Sequence, residues 1–223
     1  MTSVVIPVNR LDRVKGRLDP LLSAAERRDL MLATLRTVLE AVRSAGLEPE
    51  ILTASPAELT DAGIDAIFIA EDGNGGGLNG QVGRAVGARM DVLILHADLP
   101  RANSVAIAQV LNAKTESPGV TIVRSGDGGT NAMLLRPAGG FALAYGTGSY
   151  AAHVAAAKVA GYDIATVVSP ELALDLDTEA DLRTFMRLPG WERSRAGEVL
   201  LRIGIPGRLG SATGADHRPK RRE

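Results

Sequence analysis

Val92-Leu93-Ile94-Leu95-His96-Ala97-Asp98-Leu99-Pro100 is a short apolar run that turns polar and then meets a proline. Such a run, with no polar alternation, reads as a strand buried on both faces, the kind found in parallel sheets covered by helices. The signature recurs along the chain. Ser3 to Pro7, Glu50 to Ala54, Ala66 to Ala70, Val92 to His96, Val120 to Arg124 and Ala165 to Val168 read as strands, and Asn131 to Arg136 adds one out of sequence order. Between the first two lies a long helix. Ser23 and Glu26 have capping-box spacing, and Met31, Leu35, Val38 and Val42 recur on one face. Further helices are predicted over Leu78 to Arg89, Ser104 to Ala113, Ser149 to Ala160 and Thr178 to Arg187. This alternation implies an α/β fold, a mostly parallel sheet flanked by helices. In such sheets ligands collect outside the carboxyl ends of the strands.

Composition narrows the function. The chain has 223 residues, 45% of them hydrophobic, so one domain can bury its core without disulfides or structural metal. It has no cysteine, which excludes thiolate metal sites and cysteine nucleophiles and suits a cytoplasmic protein. A net charge of -1 and only 3% aromatic residues argue against nucleic acid as a partner. No signal peptide or membrane-length apolar run is visible, so no membrane partner is expected.

The polar segments sit where the strands end. After the first strand, Arg10, Arg13, Lys15 and Arg17 crowd one loop. A solvated charged loop is the plain alternative. Beside a strand-end crevice, however, such a group suits phosphate oxygens. After the third strand comes Glu71-Asp72-Gly73-Asn74-Gly75-Gly76-Gly77-Leu78-Asn79-Gly80. Gly75, Gly77 and Gly80 spell G-x-G-x-x-G, which raises an NAD-binding oxidoreductase or a nucleotide-sensing module as a rival. That fingerprint belongs after the first strand, and two carboxylates precede the glycines here. A glycine-rich loop also lets backbone approach a purine edge, which the Asn79 amide could read.

Asp98 stands at the end of the fourth strand, ahead of a proline-stiffened turn. In Leu174-Asp175-Leu176-Asp177, extended geometry points both carboxylates one way and both leucines the other. Like charges side by side favour a bound cation, and carboxylates without thiols or a histidine cluster suit Mg²⁺. Asp177 could instead cap the last helix, a task for which Thr178 is equally placed. Ser125 to Ala132 and Tyr145 to His153 are small-residue loops. The second runs into a helix N-terminus, where Gly146, Gly148 and Ser149 are candidate anion contacts, although Ser149 also serves as a plain helix cap. His96 and His153 read more readily as core histidines than as ligands.

Five blocks together carry a family resemblance: IPVNRLDRVKGRL (6–18), GGGLNG (75–80), LHADLP (95–100), DGGTNAMLLRP with GTGSYAAH (127–137 and 146–153), and LALDLDTEADL (172–182). The sequence resembles the guanylyltransferases of coenzyme F420 biosynthesis. The resemblance implies a nucleotide-diphospho-sugar-transferase-like fold of GT-A type. It also implies transfer of GMP from GTP to a small phosphorylated acid, whether 2-phospho-L-lactate, phosphoenolpyruvate or 3-phosphoglycerate, with loss of pyrophosphate. By motif, Mg²⁺ falls to Asp98, Asp175 and Asp177. The acid falls to Lys15, Thr130, Gly146 and Ser149 with Arg17 beside them, and the nucleotide to Gly75, Gly76, Gly77, Leu78 and Asn79. Lys15, Asp98 and Asp177 become the catalytic groups. A homodimer is compatible with the resemblance.

Four positions depart from the family pattern: Asn9-Arg10 stands for Lys-Pro, Gly80 for alanine and Tyr150 for phenylalanine. Molybdopterin and sugar-phosphate nucleotidyltransferases are the nearest rivals, but they open on a glycine-rich loop where this chain has Val8 to Arg17. The transferase domain is read over 1–190. From about Leu188 the pattern dissolves into a partly disordered extension, 191–223, with a basic end.

Overall fold

The computed structural model describes residues 2–11, 14–72 and 75–212. Arg13, Gly73, Asn74 and the basic end of the chain lie outside them. The first strand, β1 (Ser3–Pro7), sends Val4 and Ile6 to one side of the sheet and Val5 to the other. This is the period-two alternation of a strand covered on both faces. Next comes α1 (Ala24–Ser44), whose start is fixed by the expected capping box. The Ser23 hydroxyl accepts from the Glu26 N–H, and the Glu26 carboxylate accepts from the Ser23 N–H.

The chain continues through β2 (Pro49–Thr53), α2 (Pro56–Asp61), β3 (Ile67–Ala70), α3 (Gly77–Val86), β4 (Val92–Leu95), α4 (Ser104–Leu111), β5 (Gly119–Arg124) and β6 (Thr130–Arg136). It then forms α5 (Ser149–Val159), β7 (Asp163–Thr166), α6 (Pro170–Ala173), α7 (Glu179–Phe185), α8 (Arg195–Arg202) and α9 (Ile205–Ala212). The strand order is β3-β2-β1-β4-β6-β5-β7. Only β6 runs against its neighbours, antiparallel to both β4 and β5. The mostly parallel α/β sheet is as expected, and β6 is the strand read out of order.

The order reverses at β1, which pairs with β2 on one side and β4 on the other. Loops leaving β1 and β4 therefore diverge, and a crevice opens beyond their carboxyl ends. One face of the sheet packs Val4, Ile6, Leu93 and Leu95 against Leu35 and Val38 of α1 and Ile107 of α4. The other packs Val5, Ile94 and Met133 against Val82 and Val86 of α3.

Two expectations need correction. The seventh strand lies two residues earlier than Ala165 to Val168. It is an edge strand paired only with β5, so its burial pattern is weak, and Val168 is 88% exposed. The stretch after Leu188 is not patternless as far as Ala212. Ala196 and Leu200 in α8, with Ile205 and Leu209 in α9, join Leu18, Leu30, Leu182 and Phe185 in a third core cluster. Each helix is only eight residues long, and Gly207 and Gly210 lower the propensity of the second, so the period is barely sampled. Among the described residues no helix is long and apolar enough to cross a membrane.

Candidate active site

The loop leaving β1 brings Lys15 back over the crevice. Lys15 holds φ 53°, a left-handed conformation that costs a side-chain-bearing residue about 1–2 kcal/mol. It opens a single 3-10 turn, Gly16–Leu18, whose Leu18 is buried in the third cluster. The strained backbone points the amine inward. Lys15 Nζ donates to the Leu176 carbonyl at 2.8 Å and lies 3.4 Å from Asp98 Oδ2 and 3.5 Å from Asp177 Oδ1.

Asp98 follows β4, and Leu176 N–H donates to its carbonyl at 3.3 Å, fastening the 174–177 segment beside it. That segment is extended as predicted. Leu176 is fully buried and Leu174 partly so, while Asp175 and Asp177 share the other side. Asp177 does not cap α7; Thr178 does, reciprocally with Asp181. Asp98, Asp175 and Asp177 each bring an oxygen within 4.8 Å of the others. Asp98 Oδ1 is buried with no hydrogen-bond partner among the described residues. An all-oxygen donor set with an orphaned buried oxygen fits a hard divalent cation.

The electrostatics agree with crowded negative charge. Burial, then the charges of Asp98 and Asp177, pushes the Asp175 carboxyl up to about 7. Burial, then Asp98, also raises Asp177, with Lys15 offsetting part of the effect. Burial works against ionisation of Asp98 as well, but Lys15 foremost outweighs it and the group stays below its usual range.

A cavity of about 490 Å³ opens here, lined by Val8, Lys15, Leu78, His96, Asp98 and Asp177 among others. Glu71 and Leu78, which flank the glycine-rich loop, both line it. Gly75, Gly76 and Gly77 all have positive φ, and a Cβ on Gly76 would stand 3.3 Å from Gly80 Cα. The loop is braced from α3. Arg84 donates to the Gly75 carbonyl at 2.7 Å, and Gln81 exchanges hydrogen bonds with the Asp72 main chain. This loop follows β3, at the edge of the sheet and away from the reversal point. A dinucleotide fingerprint needs the opposite placement.

The remaining predicted residues form a second group. Tyr150 N–H donates to the Gly128 carbonyl at 3.2 Å, joining the 125–130 and 146–149 loops. Gly146 and Gly148 are exposed, while Thr130 and Ser149 are 1% and 3% exposed. Ser149 is not the cap of α5, because Gly148, at φ 70°, takes that position. His153 is a satisfied core histidine. Its Nε2 accepts from the Ala144 N–H at 2.9 Å and its Nδ1 lies 3.0 Å from Thr130 Oγ1. Arg17 is exposed beside the cavity, and its charge is felt at Asp127, which Ser125 and the Gly129 N–H hold below the usual carboxylate range.

Two contacts escaped the sequence. Both ends of the Asn79 amide are engaged by the Tyr145 main chain rather than left open to a base. The Tyr145 ring also lies between His96 and His153, at 5.6 and 4.8 Å. An asparagine early in a helix beside a distant Tyr-Gly turn offers no local signal for either contact.

Comparison with known proteins agrees with this architecture. The family described as "Guanylyl transferase CofC like" matches residues 2–217. A phosphoenolpyruvate guanylyltransferase of Rubrobacter xylanophilus is 34% identical, covering 80% of this chain and 90% of its own length. A 2-phospho-L-lactate guanylyltransferase of Methanospirillum hungatei is 34% identical over 91% of this chain and 92% of its own. Among solved structures, a Desulfovibrio desulfuricans protein described as a nucleotide-diphospho-sugar transferase superposes with a TM-score of 0.74. It shares 18% identity and covers 94% of this chain and 98% of its own.

Proposed function

We propose that this chain, which belongs to the CofC-like guanylyl transferase family, transfers GMP from GTP to the phosphate of a small phosphorylated acid. An oxygen of the acceptor phosphate bonds to the α-phosphorus of GTP, the α–β bridging bond breaks, and pyrophosphate leaves. A phosphate monoester is largely dianionic near neutrality, since its second pKa is about 6, so the nucleophile needs no general base. What the reaction needs is neutralised charge and alignment of two polyanions. The observation that carries this reading is the convergence of Lys15 on Asp98 and Asp177, which share one small volume with Asp175 at the sheet's reversal point.

Asp98, Asp175 and Asp177 would hold Mg²⁺, which supplies positive charge against the reacting phosphates. Lys15, anchored by the Leu176 carbonyl, presents a fixed ammonium at the same place, and the exposed Arg17 adds a second cation at the cavity mouth. Gly75, Gly76, Gly77 and Leu78 offer exposed backbone to the guanine, while Asn79 behind them is engaged by Tyr145. The acid meets the exposed turn at Gly146, with the buried Thr130 and Ser149 as its further contacts.

The relatives' names support phosphoenolpyruvate or 2-phospho-L-lactate as acceptor, and 3-phosphoglycerate shares the same chemistry. The product would serve as the activated phospho-acid of coenzyme F420 synthesis. The test is incubation with GTP, Mg²⁺ and each acid separately, following pyrophosphate release. One acid should support turnover far above the others. Release with none of the three refutes the reading, as does full activity of Asp177→Asn at low magnesium.

A further inference from the structure

The two halves of the site stand on different parts of the fold, the glycine-rich loop on α3 and the Gly146–Ser149 turn on α5. Between them runs a segment without secondary structure, 141–145. It is pinned from both sides. From α3, Asn79 Nδ2 donates to the Tyr145 carbonyl at 3.0 Å, and the Tyr145 N–H donates to Asn79 Oδ1 at 2.6 Å. From α5, the neighbouring Ala144 N–H donates to His153 Nε2 at 2.9 Å. That bond requires Nε2 to be unprotonated, so the neutral ring carries its proton on Nδ1 and donates it to Thr130 Oγ1 at 3.0 Å.

We infer that Asn79 is a positioning residue for the acid half of the site, and that it does not select the base. Its amide clamps the Tyr145 main chain and so sets the place of the turn that follows. This deepens the proposed function and rests on the reading in which the Gly146–Ser149 turn receives the acid.

The turn itself carries two glycines. Gly146 and Gly148 have φ of 142° and 70°, and both are exposed. Glycines of this kind hold no position unless a neighbour fixes them. The residue just ahead of the turn is where a fixed point has the greatest effect. A paired amide supplies it more rigidly than a single bond, because two antiparallel contacts define an orientation as well as a distance. The Tyr145 ring adds to the fixing by packing between His96 and His153. Its hydroxyl is buried there with no partner among the described residues, an arrangement that costs stability. Stability alone would not select such a placement. Meanwhile the Tyr145 main chain occupies the donor–acceptor edge of the Asn79 amide, and the hydrogen and lone pair left over point apart, so they cannot together make the paired edge contact that distinguishes guanine from adenine.

The experiment compares Asn79→Ala and Asn79→Asp with the wild type, measuring KM for the accepted acid, KM for GTP, and the preference for GTP over ATP. Loss of both bonds in Asn79→Ala should raise the acid KM by about thirtyfold, given net contributions near 1 kcal/mol per hydrogen bond. Asn79→Asp keeps the acceptor for the Tyr145 N–H and should fall between Asn79→Ala and the wild type. GTP KM and the GTP preference should stay at wild-type values in both. KM does not depend on how much of the sample is folded, so partial misfolding cannot imitate the result.

An unchanged acid KM overturns the inference. So does a loss of GTP preference, whatever the acid KM does, since that makes Asn79 a base reader. Failure of both variants to accumulate as folded protein overturns it too, by making the clamp purely structural. Wild-type protein with no turnover on any acid defeats the underlying reading instead.

Discussion

Replacing Asp175 by Asn separates what the carboxylate cluster does for chemistry from what it costs the fold. Asp98, Asp175 and Asp177 place oxygens within 4.8 Å of one another. Two unit charges at that separation repel by about 3 kcal/mol when the effective dielectric constant is near 20. Burial adds to the repulsion, and together they lift the Asp175 carboxyl from 3.8 to about 7. At ~1.4 kcal/mol per pH unit, ionised Asp175 opposes folding by about 4 kcal/mol, or about 2 after allowance for its partial contact with solvent. Between those two values the native state keeps a proton that the unfolded chain has released. Stability therefore falls as pH rises through the window, and the loss is complete above about pH 7.

Asp175→Asn should accordingly be more stable than wild type at about pH 8 in EDTA, by roughly 4–8 °C in Tm for a chain of this size. Near pH 4 the difference should vanish, because the wild-type carboxyl is protonated there. Activity should move the other way, falling by about a hundredfold or more. Thermal denaturation at both pH values, with EDTA and with magnesium, paired with pyrophosphate release, checks all of this. Magnesium should raise the wild-type Tm and leave the variant nearly unmoved. A variant less stable than wild type at the higher pH without metal, or one equally stabilised by magnesium, refutes the reasoning.

Lys15→Ala should raise the acid KM strongly and lower kcat, because it removes the ammonium fixed between Asp98 and Asp177; steady-state kinetics showing neither change would dismiss its role. Leu200→Ala should destabilise the chain by about 2–5 kcal/mol through a cavity in the third cluster, measured by denaturant titration, and should raise the acid KM as Lys15 loosens. His153 is held down at about 4 from 6.5, by burial first and then by the His96 charge. Its contribution of about 3 kcal/mol is complete above about pH 6.5 and is lost as pH falls toward 4. The Asp175 effect has the opposite sign over much of that range, so the measurement is the difference curve between wild type and His153→Asn, which should slope only between those two values.

Much of this molecule is legible from local pattern. Each of β1, β4 and β6 is a short apolar run, and the Ser23–Glu26 box marks where α1 starts. Asp98, Asp175 and Asp177 are legible as chemistry because strand ends and extended alternation are local facts. What local pattern misses depends on partners far along the chain. The β7 boundary slipped because an edge strand buries little. The helices at 195–212 escaped because their few apolar residues find meaning only against Leu18, Leu182 and Phe185. The clamp made by Asn79 escapes local pattern for the same reason. Its partner, Tyr145, is 66 residues away.

The inward placement of Lys15 shows how the two kinds of information combine. Its residue type and its place in a cation-rich loop are visible in the sequence, and so is the acidic pair at Asp175 and Asp177. Its left-handed backbone is not. That conformation is tolerated because Leu18, three residues on, is buried among residues of α1, α7, α8 and α9. Burial of Leu18 fixes the far end of the turn, while the Leu176 carbonyl and the two carboxylates fix the amine. The C-terminal helices thus belong to the site's support, although none of their residues lines the cavity. Weakening the third cluster should loosen Lys15 before it unfolds the sheet, since the strands draw their own burial from the other two clusters.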